Sequence, residues 1–249
     1  MVNVAIVGYG KMGKLIEQLS KDNGLEVVSI IDPNEEKAQF KEINKESMHD
    51  VDVCIDFTHP DEALKNTEKA ASLGKNIVMA TTGWYEDMEK MKEIVENSKV
   101  GMIWSGNFSV GVNMFFRMVR AAAKIVDKID NYDVFSYEMH HNKKADSPSG
   151  TAEMLGKILL DESKTKSKLV YDKLDRKIKP EELHLASVRG GSIPGTHVVG
   201  FDSTADTIEL KHTARNREGF AMGAILAAKW IKDKKGFFCI DDMMKSIIG

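Results

Sequence analysis

Along the first hundred residues two periodicities alternate. Val2–Val7, Val27–Ile31, Val51–Phe57, Ile77–Ala80 and Val100–Trp104 are short, nearly continuous apolar runs rich in β-branched residues. Such runs suit strands covered on both faces, as in a parallel sheet. Between them Lys11–Lys21, Glu35–Glu42, Asp61–Leu73 and Tyr85–Asn97 carry apolar residues three and four apart among Lys and Glu, which predicts amphipathic helices. Pro33 and Pro60 stand where two of these would begin, and proline is tolerated in a first turn. The alternation predicts a doubly wound α/β domain with a Rossmann-like parallel sheet.

The pattern then changes. After a helix over about 110–129, strand-like runs follow at Tyr132–Met139, Leu185–Arg189, His197–Ser203 and Thr207–His212, with one strong helix among them near Thr151–Leu160. Consecutive strands without crossovers predict an α+β layer with an open mixed sheet. Phe220–Ile231 and Ile240–Ile248 return to helical spacing and are expected to rejoin the first domain. The second domain is then an insertion of 111–217 between 1–110 and 218–249. Residues 164–179, rich in Lys and Asp, read as a solvated loop or edge. Met88, Met91, Met114 and Met118 have helical spacing and read as core filler.

Charge and composition narrow the partners. The 249 residues are 42% hydrophobic and 29% charged, a globular balance, and the net charge of −3 offers no broad basic field for nucleic acid. The chain enters a strand pattern at Val2 without a basic leader, and no apolar run reaches ~18 residues, so a cytoplasmic protein with no membrane partner is expected. Cys54 and Cys239 read as small buried thiols of a reducing compartment, with no metal-ligand neighbour at useful spacing.

Candidate chemistry starts at Gly8-Tyr9-Gly10-Lys11-Met12-Gly13, placed between the first strand and first helix. There glycines permit a tight turn and close approach of backbone to a pyrophosphate, and the helix N-terminus favours the anion. Asp32 ends the second strand at 32 − 13 = 19 positions past the third glycine, near the ~20 at which a carboxylate meets the adenosine ribose. Ala80-Thr81-Thr82-Gly83 follows the fourth strand at the carboxyl edge, where open α/β sheets bind ligands. Its hydroxyls could contact ribose or nicotinamide; equally, they could cap the helix beginning near Tyr85.

A second concentration spans Glu138-Met139-His140-His141-Asn142-Lys143-Lys144-Ala145-Asp146-Ser147-Pro148-Ser149-Gly150-Thr151-Ala152. Histidine can donate a proton near neutral pH, lysine offers a point charge to a carboxylate, and a helix N-terminus binds another. A small dicarboxylate would be matched on two sides. Adjacent histidines on a strand point to opposite faces, which argues against a metal held by the pair. Each piece also has a bland reading, with Lys143 and Lys144 solvated and Ser149 a plain helix cap. His49, His59, His184, His197 and His212 lack such companions.

The run His140-His141-x-x-Lys144-x-Asp146-x-Pro148-Ser149-Gly150-Thr151-Ala152 is similar to the signature of the dihydrodipicolinate reductase family. The Gly-rich turn, the Thr81-Thr82-Gly83 loop, Asn107-Phe108-Ser109-Val110-Gly111-Val112-Asn113, Arg189-Gly190-Gly191 and Gly195-Thr196-His197 resemble the same family in the same order. The resemblance implies that NADH or NADPH delivers hydride to 4-hydroxy-tetrahydrodipicolinate, with loss of water, on the diaminopimelate route to lysine. It makes His140 the proton donor and Lys144 a catalytic carboxylate anchor. His141, Ser149, Gly150, Thr151 and Arg217 become substrate contacts, with Arg215 competing for the last role. Asn107 and Phe108 join Gly8, Gly10, Lys11, Met12, Gly13, Asp32, Ala80, Thr81, Thr82 and Gly83 as cofactor contacts. It also implies a homotetramer assembled through the second-domain sheets. Two departures stand out: the family's Gly-rich turn often carries one more residue, and Ala80 stands where Gly is common. Asp32, with Pro33 rather than Arg beside it, points to use of both cofactors with a preference for NADH. Two other readings compete, another Rossmann oxidoreductase such as a diaminopimelate or aspartate dehydrogenase and a catalytically idle nucleotide sensor, and neither accounts for the 140–152 run.

Overall fold

The structure is a computed structural model that describes residues 1–171 and 173–248; Asp172, inside the expected 164–179 loop, and Gly249 lie outside the described residues. The first half runs β1 (Val2–Val7), α1 (Lys11–Ser20), β2 (Leu25–Ile31), β3 (Val53–Asp56), α2 (Pro60–Ser72), β4 (Asn76–Met79), α3 (Met88–Ser98) and β5 (Gly101–Trp104). It continues with α4 (Val110–Val126), β6 (Asp133–His140), α5 (Gly150–Glu162), β7 (Lys168–Val170), β8 (Glu182–Arg189), β9 (Thr196–Asp202), β10 (Thr207–Thr213), α6 (Glu218–Ile231), β11 (Gly236–Cys239) and α7 (Ile240–Ile248). Two compact units result: Met1–Val110 with Glu218–Gly249, and Gly111–Arg217.

The first unit is built on a six-stranded parallel sheet, ordered β11-β5-β4-β3-β1-β2. Each face has its own core. Val4, Ile6 and Ile55 pack with Ile16 of α1 and with Ala224, Ile225 and Ala228 of α6. Cys54, Ile77, Met79 and Met102 pack with Ala70 of α2 and with Met91 and Val95 of α3. Burial on both faces explains why these strands read as unbroken apolar runs. From β1 the chain steps outward to β2, then crosses back to lay β3 on the other side of β1. The order therefore reverses between β1 and β3, the place where open α/β sheets take ligands at their carboxyl ends.

The expected helix over 35–42 does not form, and Pro33 begins none. Phe40 instead folds back along the end of β2, its N–H on the Ile30 carbonyl at 3.1 Å and its carbonyl accepting from Asp32 N at 3.0 Å. Eight residues gain too few helical bonds to repay nucleation, and the apolar positions are used otherwise: Ala38 and Phe40 pack, partly buried, against the two cores of the unit. The expected helix at Tyr85 opens as a 3₁₀ turn over Tyr85–Asp87 before α3.

The second unit carries a mixed sheet ordered β10-β9-β6-β8-β7, with β9 antiparallel to both neighbours and β6, β8 and β7 mutually parallel. Phe115, Val119 and Ala123 of α4 and Leu155, Ile158 and Leu159 of α5 bury against Leu183, Leu185, Val199 and Phe201. Met114 and Met118, expected in the core, are instead 43% and 50% exposed; the buried stripe of α4 is Val112, Phe115, Val119 and Ala123, one position along. Strand β11, four residues long with no clean alternation, was not anticipated, and the three-residue β7 gives the 164–179 segment the edge of the sheet. Cys54 is fully buried and Cys239 only half-buried.

Candidate active site

In the first unit the Gly8–Gly13 turn links β1 to α1, with Gly10 as the N-cap residue of α1. A β-carbon on Gly13 would collide with the Gly8 carbonyl oxygen and crowd Ile6, so only glycine lets α1 start this close to β1. Lys11 is exposed and Met12 half-buried. Asp32 closes the turn from β2: its Oδ2 accepts from Tyr9 N at 2.8 Å, and its Oδ1 from Asn34 N at 2.8 Å and Glu35 N at 3.1 Å. Burial opposes its charge, but these three donors and nearby Lys41 outweigh it and hold the Asp32 carboxyl below its ordinary pKa. The arrangement is a rigid, anionic strand end beside a backbone cradle. Gly13→Ala is expected to cost about 1–3 kcal/mol of overpacking and to weaken NADH binding by roughly tenfold or more. NADH fluorescence titration alongside a thermal melt checks this; wild-type affinity would show that the turn tolerates the methyl.

The Ala80–Gly83 loop divides its labour. Thr81 is buried, with its Oγ1 donating to Asp56 Oδ1 at 2.7 Å and accepting from Thr58 N at 2.7 Å, while Trp84 Nε1 donates to the Thr81 carbonyl at 2.7 Å. Thr82 and Gly83 are exposed and Ala80 half-buried. Asp56, 1% exposed at the end of β3, also accepts from Thr58 Oγ1 at 2.7 Å and Asn66 Nδ2 at 2.9 Å. Burial nevertheless pushes its pKa up. Asp56 thus ties together the loops that follow β3 and β4. Asn107 accepts from Ser109 N at 2.9 Å through its side chain. Phe108, expected as a cofactor contact, buries its ring in the core at 3% exposure, so only its backbone is offered to a ligand.

In the second unit β6 ends in His140, 7% exposed. The following loop is latched to the end of β8, through Gly190 N on the His140 carbonyl at 2.9 Å and Arg189 Nη2 on the Asp146 carbonyl at 2.6 Å. Lys144 is half-buried, 2.8 Å from Asp146, and close enough to His140 to depress its proton affinity. Lys143 is exposed and His141 half-buried. Ser149 caps α5 by accepting from Ala152 N, and Gly150 and Thr151 form its first turn. His140, Lys144 and the α5 start are therefore brought to one end of the sheet. Arg217, like Arg215, is exposed in the segment after β10.

Beneath this cluster lies Glu138, fully buried. Strand register places Ser187 of β8 and His197 of β9 directly beside it, and Arg189 beside His140. Glu138 Oε1 accepts from Ser149 N at 3.0 Å, Ser187 Oγ at 2.8 Å and Arg189 Nη2 at 2.8 Å. Its Oε2 accepts from Ser149 Oγ and lies 3.2 Å from His140 Nδ1 and 3.4 Å from His197 Nε2. Burial opposes the charge, yet His197, Ser149, Arg189 and Ser187 together hold its carboxyl far below the usual range. Burial pushes His140 down to about 4, with His197, Lys144 and Arg189 adding to the shift and Glu138 opposing it. Glu138, His140 and His197 bring three ligand-type atoms within 4.8 Å of one another. Both oxygens of the carboxylate are already occupied, and a guanidinium sits on it, so the trio reads as a proton-holding network rather than a cation site.

Sequence reasoning missed His197, Ser187, Arg189 and Asp56 as members of these networks and gave Glu138 no role. The one signal available was the two-residue spacing of Glu138 and His140, which puts both on one face of a strand.

Comparison with known proteins gives a consistent result. The family models for the N-terminal and C-terminal parts of dihydrodipicolinate reductase match residues 2–108 and 111–244. The 4-hydroxy-tetrahydrodipicolinate reductase of Archaeoglobus fulgidus is 40% identical, covering 98% of this chain and 100% of its own length. The enzyme of that name from Christiangramia forsetii is 35% identical, with 99% of each chain covered. Among solved structures, dipicolinate-bound dihydrodipicolinate reductase from Paenisporosarcina sp. TG-14 shares the fold with a TM-score of 0.79 at 24% identity, covering 96% of this chain and 97% of that one.

Proposed function

The chain belongs to the dihydrodipicolinate reductase family, an oxidoreductase reducing 4-hydroxy-tetrahydrodipicolinate to tetrahydrodipicolinate with a nicotinamide dinucleotide, and we propose that His140 is its proton donor. The observation that carries the residue assignment is the gathering of His140, Lys144 and the α5 N-terminus at one end of the second unit's sheet. The products differ from the substrate by one hydride and one proton gained and one water lost. Reduced nicotinamide, when bound, supplies the hydride.

Everything else falls to side chains and backbone. In this reading the first unit holds the dinucleotide: the 8–13 turn receives the pyrophosphate and Asp32 the adenosine ribose, a fit supported by the cradle that a β-carbon on Gly13 would fill. Thr82, Gly83 and Asn107 face the nicotinamide end, with Thr81 acting through Asp56 rather than by direct contact. The second unit holds the substrate. Lys144 binds one carboxylate as a point charge, and the N–H groups at Gly150 and Thr151 receive the other. His141 and Arg217 add contacts. A His140 whose pKa is about 4 is neutral at pH 7, so its proton arrives with the substrate, whose two carboxylates offset Lys144 and Arg189. Oxidation of NADH and NADPH in the presence of enzymatically generated substrate tests this function, and no oxidation with either would refute it.

Cofactor choice turns on Asp32. Its carboxylate can accept from both ribose hydroxyls of NADH but repels the 2′-phosphate of NADPH. Lys11, Lys37 and Lys41 are exposed cations that soften the repulsion. Both cofactors are therefore used, with a higher kcat/KM for NADH; measuring that ratio for each at low salt decides it, and a clear NADPH preference would show that the lysines outweigh Asp32. The same reading makes the protein a cytoplasmic homotetramer joined through its second-unit sheets. No helix among the described residues is long and apolar enough to cross a membrane.

A further inference from the structure

We propose that Glu138 is a positioning residue for the reduction: from β6 it fixes the tautomer of His140 and stabilises its charged form, so that Nε2 is the atom that delivers the proton. The proposal rests on the reading of His140 as the acid and assigns a role to a buried carboxylate outside that reading.

Geometry carries it. Glu138 and His140 are two apart on one strand and so share a face. The ring presents Nδ1 to Glu138 Oε2 at 3.2 Å. Its opposite edge lies against Gly195, where a β-carbon would sit 3.0 Å from Nε2; the missing side chain keeps that nitrogen uncrowded. The Nδ1 contact is close but not in line, since Nδ1 has no hydrogen-bond acceptor in the arrangement seen. Such contacts commonly straighten when substrate binds. A carboxylate at Nδ1 selects the tautomer with its hydrogen there, leaving Nε2 to exchange the proton, and favours the imidazolium before transfer.

The carboxylate is itself held immobile. Ser149 at the start of α5 and Ser187 and Arg189 of β8 occupy its remaining sites, and His197 Nε2 of β9 reaches both Ser149 Oγ at 3.2 Å and Glu138. The charged and titratable groups around His140 are thus Glu138 on β6, His197 on β9, Arg189 on β8, and Lys144 with its partner Asp146 on the following loop. Glu138 is the one among them whose charge raises the proton affinity of the ring while touching it.

The test is Glu138→Gln, which keeps shape and removes charge. Turnover is expected to fall on the order of 10²-fold, with NADH affinity unchanged. Because the acid must hold its proton, kcat falls as pH rises, and losing the negative neighbour should move this alkaline limb downward by roughly 1–3 pH units. Arg189→Gln, which removes the positive neighbour, should move it upward. Glu138→Asp should recover part of the turnover. In the parent, nitrogen NMR of labelled histidine should find neutral His140 protonated at Nδ1. A folded E138Q protein with an unmoved limb and near-parental turnover overturns the proposal, as does a parent tautomer protonated at Nε2. Should E138Q fail to fold, an upward shift in R189Q supports the proposal and an unmoved limb overturns it. A His140→Ala protein assayed alongside separates the two readings: if it retains turnover, the acid assignment falls and this proposal with it; if it is inactive while E138Q keeps its limb, this proposal falls alone.

Discussion

His140→Ala lowers turnover by ~10²–10⁴-fold, the usual loss when a positioned general acid is removed, while NADH affinity stays close to that of the parent. The separation is expected because His140 belongs to the second unit and Gly8–Gly13 with Asp32 to the first. The residual reaction should also lose its decline toward alkaline pH, since that decline reports the proton on the ring. Steady-state kinetics across pH, with NADH fluorescence titration, measures both quantities. Turnover within a factor of two of the parent would remove His140 from the mechanism, and a large loss of NADH affinity would make its role one of structure.

Lys144→Ala damages both KM and kcat, because a carboxylate held in a half-buried site loses its counter-charge and its reacting geometry together. The expected loss in kcat/KM is on the order of 10²–10³-fold, the equivalent of about 3–4 kcal/mol. Lys143→Ala is expected to stay within a few-fold of the parent. The contrast follows from placement: Lys144 is half-buried, with its N–H on the His141 carbonyl and its amine on Asp146, while Lys143 is exposed. Equal losses for the two lysines, or a greater loss for Lys143, would show that the loop presents the wrong lysine.

How much of this was legible in the sequence depends on how local each signal was. The five parallel strands β1 to β5 were readable because burial on both faces makes them continuous apolar runs. The turn at Gly8–Gly13 and the carboxylate at Asp32 were readable because their spacing is fixed by one strand–helix–strand unit. The 35–42 segment misled because its apolar residues satisfy a helical period while packing along the edge of β2, where Phe40 pairs with Ile31. Met114 and Met118 misled for a related reason: helical spacing says that residues share a face, and only the neighbours say which face is buried. The 138–152 stretch could be seen as a cluster, but its support could not. Ser187, Arg189 and His197 reach Glu138 through strand register between segments distant in sequence, and nothing local encodes that register. Asp56 and Thr81 belong to the same class, being joined only by the pairing of β3 with β4.

The threefold pinning of Asp32 bears on any attempt to re-engineer the coenzyme. A common strategy exchanges the strand-end carboxylate for a small neutral residue to admit the 2′-phosphate. Here that exchange would also strip the acceptor from the backbone N–H groups of Tyr9, Asn34 and Glu35, loosening the turn proposed to receive the pyrophosphate of either coenzyme. In the proposed reading, selectivity and grip are carried by the same two oxygens. A switch to NADPH in this scaffold is better sought by leaving Asp32 in place and adding a guanidinium at an exposed neighbour such as Asn34 or Lys37, so that the phosphate gains a partner without the turn losing one.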